Sequence, residues 1–248
     1  MNDYHGQSVL VAGGSSGVGL ATARAFAALG AGVTVVSRTE ARVGAAVAEV
    51  AAAAGAVGAA GSGDRVRGVT LDLTDPDAVE EFCSAAEFDH VVVSAARTPM
   101  GRLDTLPLSD ARAAMDSKFW GTYHLMRSVR IRPTGSLTVV TGYMSVRPGR
   151  ASALQSAINA ALESLVRAAA LEKAPLRVNA VSPGLLRTPL WDGLPEERRT
   201  AMFEAAEARL PVGRVGEAQD IAAAVVFLAG NPYATGSTVF VDGGGSIA

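Results

Sequence analysis

The residues of this chain best spaced for chemistry are three glycines, Gly13, Gly17 and Gly19, in "GGSSGVGLATARAFAALG". The apolar run "SVLVA" stands directly before them, and a stretch with helical spacing follows. A strand that turns through glycine into a helix brings backbone N–H groups to the positive end of the helix dipole, close enough to meet a pyrophosphate. Ser15, Ser16 and Val18 complete that loop. The next β-branched run, "VTVVS", ends at Ser37 and is followed by Arg38. A carboxylate at this point would hold the ribose hydroxyls of NAD(H) and repel a 2′-phosphate, whereas a guanidinium binds the phosphate with charge-assisted hydrogen bonds. A dinucleotide site that prefers NADP(H) over NAD(H) is expected.

The elements that must position such a site are legible as alternation. Short apolar runs recur at "SVLVA", "VTVVS", "RVRGVTLD", "HVVVS", "SLTVVT", "RVNAV" and "TVFVD", with Ala, Leu and Glu-rich helical stretches between them. Runs apolar on both faces that alternate with helices predict a parallel sheet covered on both sides, an α/β Rossmann-type doubly wound fold. In "LTDPDAVEEF", Thr74 or Asp75 is the expected helix cap with Pro76 in the first turn, and Ser109 is expected to start a helix in "LSDARAAM". The segment from Ala51, "AAAAGAVGAAGSGDR", reads as a helix end fading into a glycine-rich surface loop.

The 248 residues suit a single domain spanning 1–248, and the formal net charge of −2 with scattered Lys and Arg argues against a nucleic-acid footprint or a polybasic membrane contact. A small-molecule substrate is the favoured partner. One cysteine, Cys83, cannot form an internal disulfide, and "EEFCSAAEF" reads as a helix with a part-buried thiol, which fits a reduced, cytoplasmic setting. The start "MNDYHGQSVL" lacks the features of a secretory signal, and "VGAAVAEVAAAAGAVGAAG" is too weakly hydrophobic to span a bilayer. His5, His90 and His124 have no partners at metal-ligand spacing, so no metal is expected.

With these residues in view, the chain resembles the short-chain dehydrogenase/reductase family over nearly its whole length. The resemblance is carried by "VAGGSSGVG", by "LDLTD" at 71–75, by "RVNAVSPGLLRTPL" at 177–190 and by "GRVGEAQDIAAAVVFLAGNPYATGSTVFVDGG" near the end. It implies that Asp72 and Leu73 flank the adenine, that Pro183, Gly184, Leu186 and Thr188 cover the nicotinamide, and that Thr188 bonds its carboxamide or a phosphate. It further implies a homodimer or homotetramer, with the terminal "VDGG" contributing to an interface in many relatives. The segment at about 185–212, with Leu190, Trp191, Leu194 and Met202, reads as a helix pair that forms a substrate lid with a largely apolar roof, core packing being an equally good account of Met202 and Phe203.

The catalytic positions depart from the family pattern. The family places a Tyr and, four residues on, a Lys on the helix after the fifth strand, with a Ser about a dozen residues earlier and an Asn on the previous helix. Laid on this chain, Gln155 stands at the Tyr position, Asn159 at the Lys position, Gly142 where the Ser belongs and Lys118 at the Asn position. Val93, Ser94, Ala95 and Ala96 replace the usual Asn-Asn-Ala-Gly. An amide can donate a hydrogen bond but cannot serve as a general acid, so Gln155 is a candidate oxyanion donor, and Asn159 keeps the ribose-binding half of the lysine's role. Lys118 and Tyr143 are the candidates for the missing proton donor. Arg97, Arg147 and Arg150, in loops at the carboxyl end of the sheet, are candidates for recognising an acidic substrate. The favoured function is an NADP(H)-dependent oxidoreductase acting on a carbonyl or alcohol. Two others stay open: a non-redox lyase, isomerase or cyclase, and an NADP(H)-sensing binding protein without turnover.

Overall fold

A computed structural model describes residues 3–55 and 65–248. The expected loop after Ala51 falls largely outside these residues, the helix before it running to Gly55. Seven strands form one parallel sheet: β1 (Ser8–Ala12), β2 (Gly32–Ser37), β3 (Val66–Thr70), β4 (Glu87–Val93), β5 (Arg130–Val140), β6 (Arg177–Pro183) and, at the end, a strand over Thr238–Val241. Their spatial order runs β3, β2, β1, β4, β5, β6 and then that last strand, so the chain reverses direction across the sheet between β1 and β4. Open α/β sheets bind ligands at such a switch point, outside the carboxyl ends of the strands.

Alternation along each strand decides which layer a residue joins. Val9 and Val11 face α1 (Gly17–Ala28), α2 (Glu40–Gly55) and a late helix over Ala218–Gly230, through Phe26, Val50 and Ile221. Leu10 and Ala12 face the opposite layer, built from α3 (Pro76–Ser84), α4 (Leu108–Ala114), α5 (Gly121–Ser128) and α6 (Ala153–Glu172), through Val79, Leu125, Ile158 and Leu162. Both faces are therefore buried, which is why these strands read as continuous apolar runs. Cys83 lies wholly inside this second layer rather than part-buried, and burial pushes its thiol up to about 11.

The start of α3 matches expectation: the Asp75 carboxylate accepts from the N–H groups of Asp77 and Ala78, both at 3.1 Å, and Pro76 follows in the first turn. That of α4 differs. The helix begins at Leu108 after Pro107, and Ser109 lies inside it rather than capping it, because the proline already fixes the entry. Between α4 and α5 the chain widens into a π-helical turn over Met115–Trp120, a distortion often found at functional sites. It carries Lys118, whose carbonyl accepts from Thr122 Oγ1 at 2.6 Å.

Two short strands, β7 (Leu186–Arg187) and β8 (Gly216–Glu217), pair outside the main sheet, bracket the segment expected to be the lid, and carry no signal in the sequence. Between them lie a single turn at Pro189–Trp191 and one helix, α7 (Glu196–Glu207), rather than a helix pair. Counted with these, the long helix over Ala218–Gly230 is α8 and the last strand β9. Phe203, Ala206, Leu210 and Val215 form a separate small core, with Trp191 and Met202 packed against it. Packing thus accounts for Met202 and Phe203, whereas Leu190 is exposed. No helix among the described residues is long and apolar enough to cross a membrane.

Candidate active site

At the end of β1 the close approaches are made by backbone. Gly13 has a φ of +83°, and a Cβ there would stand 2.5 Å from the Ala95 nitrogen. A Cβ on Gly19 would lie 2.1 Å from the Gly13 carbonyl oxygen and 2.5 Å from Ser94 Oγ. These approaches admit glycine alone. Ser94 ties the end of β4 to β1 by donating to the Ala12 carbonyl at 3.1 Å, and Ser15 Oγ donates to Ser37 Oγ at 2.8 Å. Ser16 at the head of α1 makes no side-chain cap, so among the described residues no side chain satisfies the first N–H groups of that helix. Gly17 faces the side chain of Thr188, 3.6 Å from its would-be Cβ, which brings the loop after β6 over the head of α1.

Arg38 lies exposed at the tip of β2 with no ion pair or side-chain hydrogen bond among the described residues. Asp72 is exposed as well, its carboxylate accepting from the Thr74 N–H and hydroxyl at 3.0 and 2.9 Å. Leu73 and Leu186 turn inward. Both side chains are buried in the core layers, so only their backbones are left to meet a ligand. Gly184 approaches the C-terminal segment closely, a Cβ there falling 2.7 Å from Asp242 Cα.

The second half of the site is built from side chains on the second layer. Gln155, Asn159 and Glu163 follow one another at intervals of four and lie on one buried stripe of α6. Lys118 reaches the same place from the π-helical turn. Its Nζ donates to Asn159 Oδ1 at 2.7 Å and to the Thr141 carbonyl at 2.9 Å. Burial pushes this ammonium down to about 8, with the Glu163 carboxylate acting in the opposite sense. Glu163 Oε1 accepts from Thr141 Oγ1, Ser145 Oγ and Ser182 Oγ at 3.0, 2.8 and 3.2 Å, which locks the turn after β5 against α6 and β6. Sequence reasoning passed over Glu163 and Ser145. The available signal was a carboxylate at the third step of the polar stripe inside an otherwise apolar helix face.

Gln155 does something other than expected. Its Nε2 donates to the carbonyls of Pro99 and Thr98, fastening the loop after β4, and its Oε1 is buried with no donor among the described residues. The amide N–H groups therefore hold a loop rather than standing free for an oxyanion. Tyr143 opens a single turn over Tyr143–Ser145, with its ring beside Gly245 and no hydrogen bond at its hydroxyl among the described residues. The structure thus brings Lys118 and Asn159 into contact and leaves Tyr143 outside their network.

A family model described as Enoyl-(Acyl carrier protein) reductase matches residues 12–246. The chain belongs to the short-chain dehydrogenase/reductase family. Among curated relatives, it is 34% identical to the short-chain reductase protein NovJ of Streptomyces niveus, covering 95% of this chain and 92% of that protein. It is 32% identical to cis-4-hydroxycyclohexanecarboxylate dehydrogenase of Sinomonas cyclohexanicum, over 95% of this chain and 94% of the relative. A solved small-chain dehydrogenase in complex with NADPH superposes with a TM-score of 0.81 at 32% identity, over the whole of both chains. Members of the short-chain dehydrogenase/reductase family are oxidoreductases, and the seven-stranded parallel sheet seen here is their fold. Along Ala153–Glu172, α6 of this chain carries neither Tyr nor Lys.

Proposed function

We propose that this chain is an NADP(H)-dependent oxidoreductase of small-molecule carbonyls and alcohols in which Lys118 replaces the family's tyrosine as proton donor and acceptor. The glycine cradle of Gly13, Gly17 and Gly19 fits a pyrophosphate, and Ser37 with Arg38 fits a 2′-phosphate, by the close approaches and the unpaired guanidinium described above. The NADPH held by the 32% identical solved relative supports the same reading. Bound there, the cofactor supplies or accepts the hydride. Asn159 is then the residue of α6 available to the nicotinamide ribose, and Thr188 the one beside the head of α1.

The observation that carries the proposal is the geometry of Lys118 Nζ. Asn159 Oδ1 and the Thr141 carbonyl take two of its N–H groups, and the third has no partner among the described residues. In the charged form that third position holds a proton. In the neutral form it holds a lone pair. During reduction the free N–H bond breaks as the carbonyl oxygen takes the proton, the electron pair returns to nitrogen, and solvent restores the ammonium. Oxidation of an alcohol runs the same transfer backwards. A lysine whose pKa is brought near neutrality by burial is suited to both directions.

The test is NADPH consumption with a panel of ketones and aldehydes, followed over pH. Reduction needs the ammonium, so its rate should be flat at low pH and fall as pH rises through about 8; oxidation should rise through the same point. Lys118→Met should remove that inflection and lower the rate on the order of a hundred- to ten-thousand-fold, the usual worth of a general acid, with NADPH affinity retained. Tyr143→Phe should leave both unchanged. Binding of NADPH without consumption by any carbonyl compound would sink the redox assignment and favour a cofactor-sensing protein.

A further inference from the structure

Two loop segments at the carboxyl end of the sheet carry positive charge. The first part of the loop after β4, 94–101, and the loop after β5, 142–152, contain no Asp or Glu and carry Arg97, Arg147 and Arg150. The two loops are stitched together. The Gly101 N–H donates to the Ala151 carbonyl at 3.1 Å, and Gln155 clasps the Pro99 and Thr98 carbonyls from below. Arg97 is anchored beside the proton donor, its backbone N–H donating to Oγ of Ser117 at 3.0 Å, next in sequence to Lys118. The Arg147 N–H donates to the Tyr143 carbonyl at 3.0 Å, and Arg150 immediately precedes the stitched Ala151.

The three side chains are exposed, and none meets a carboxylate, a carbonyl or an aromatic face among the described residues. The neighbouring Arg102 does, pairing with Asp104 at 3.1 Å. On the far rim Arg187 is likewise neutralised, by Glu207 at 2.6 Å and by Glu217. The rim formed by these two loop segments is thus left with uncompensated positive charge among the described residues. Such a one-signed rim raises the local concentration of anions and speeds their capture. A guanidinium adds directional, often bidentate, bonds to a carboxylate or phosphate oxygen.

We infer that the substrate is an anion: a carbonyl or alcohol compound that carries a carboxylate or phosphate group, which Arg97, Arg147 and Arg150 hold at the rim while its reacting oxygen reaches Lys118. This rests on the redox reading of the same site. It names the substrate class that reading leaves open and makes the family's substituted tyrosine position part of the recognition, since Gln155 fixes the loop that bears Arg97.

The experiment separates binding from turnover. The NADP⁺-loaded protein is titrated calorimetrically with 4-oxopentanoate, 3-benzoylpropanoate and 4-acetylbenzoate, each against its own primary amide, and KM and kcat are measured for the same compounds with NADPH. At low ionic strength at least one acid should bind roughly tenfold or more tighter than its amide, an advantage that shrinks as salt is added. The triple variant Arg97→Gln, Arg147→Gln, Arg150→Gln should erase the difference and raise KM for the acid, with kcat and NADP⁺ affinity retained. Equal affinity for every acid and its amide, no binding of either, or a preference that survives the triple substitution would overturn the inference. Tight binding of acids with no NADPH consumption would overturn the redox reading alone.

Discussion

The head of α1 and the buried stripe of α6 belong to opposite layers of the sheet, and they are held by different physics. The first is made of backbone. Where a Cβ would stand 2.1 Å from a carbonyl oxygen, as at Gly19, no side chain other than hydrogen fits. The second is made of side chains, and under the proposed function it needs an ammonium at a place rather than a residue at a position. On α6 that ammonium is missing, and the π-helical turn before α5 delivers one to Asn159 from the other side. A steric requirement pins the sequence locally, whereas a charge can be supplied from any element whose reach ends at the same point.

That contrast can be broken at either end. A first break is Gly19→Ala: the new methyl must displace the Gly13 carbonyl, overpacking of this kind costs ~1–3 kcal/mol, and NADPH affinity by calorimetry should fall about tenfold to a hundredfold. Undiminished binding would show that the cradle is not the phosphate site. Next comes Arg38→Ala, which removes a charged donor from the 2′-phosphate; at about 1.5–3 kcal/mol for such a bond, the ratio of NADPH to NADH affinity should drop by roughly ten- to a hundredfold, through loss of NADPH affinity alone. A fall in both affinities would instead mark Arg38 as a general prop of the β2 tip. The smallest and sharpest is Glu163→Gln. The carboxylate opposes the burial that lowers Lys118, so its neutralisation should carry the inflection of the pH–rate profile to lower pH, below about 8, with little change in the plateau rate. An unmoved inflection would mean that Lys118 is not the titrating group.

Much of the fold was open to reading from the chain alone, for identifiable reasons. Strands buried on both faces print as unbroken apolar runs, and Asp75 with Pro76 marks a helix start by local hydrogen bonding. The exceptions are instructive. Ser109 looked like a cap and is not one, because Pro107 already sets the entry to α4. The two short strands β7 and β8 leave no pattern, since two residues are too few to show a period. Leu73 and Leu186 sit in segments proposed to line the cofactor site yet turn their side chains into the core, a choice made by packing partners outside their own segments.

The sequence by itself determined the glycine hinge, the arginine at the tip of β2 and the absence of Tyr and Lys from α6, because backbone freedom and residue chemistry are properties of single positions. Only the tertiary structure decided that Lys118 meets Asn159, 41 residues away, and the Thr141 carbonyl, 23 away, that Glu163 gathers three hydroxyls, and that Gln155 clasps a loop instead of facing a substrate. Those contacts depend on how far helices slide and turn as their apolar faces pack on the sheet, and no local spacing records that.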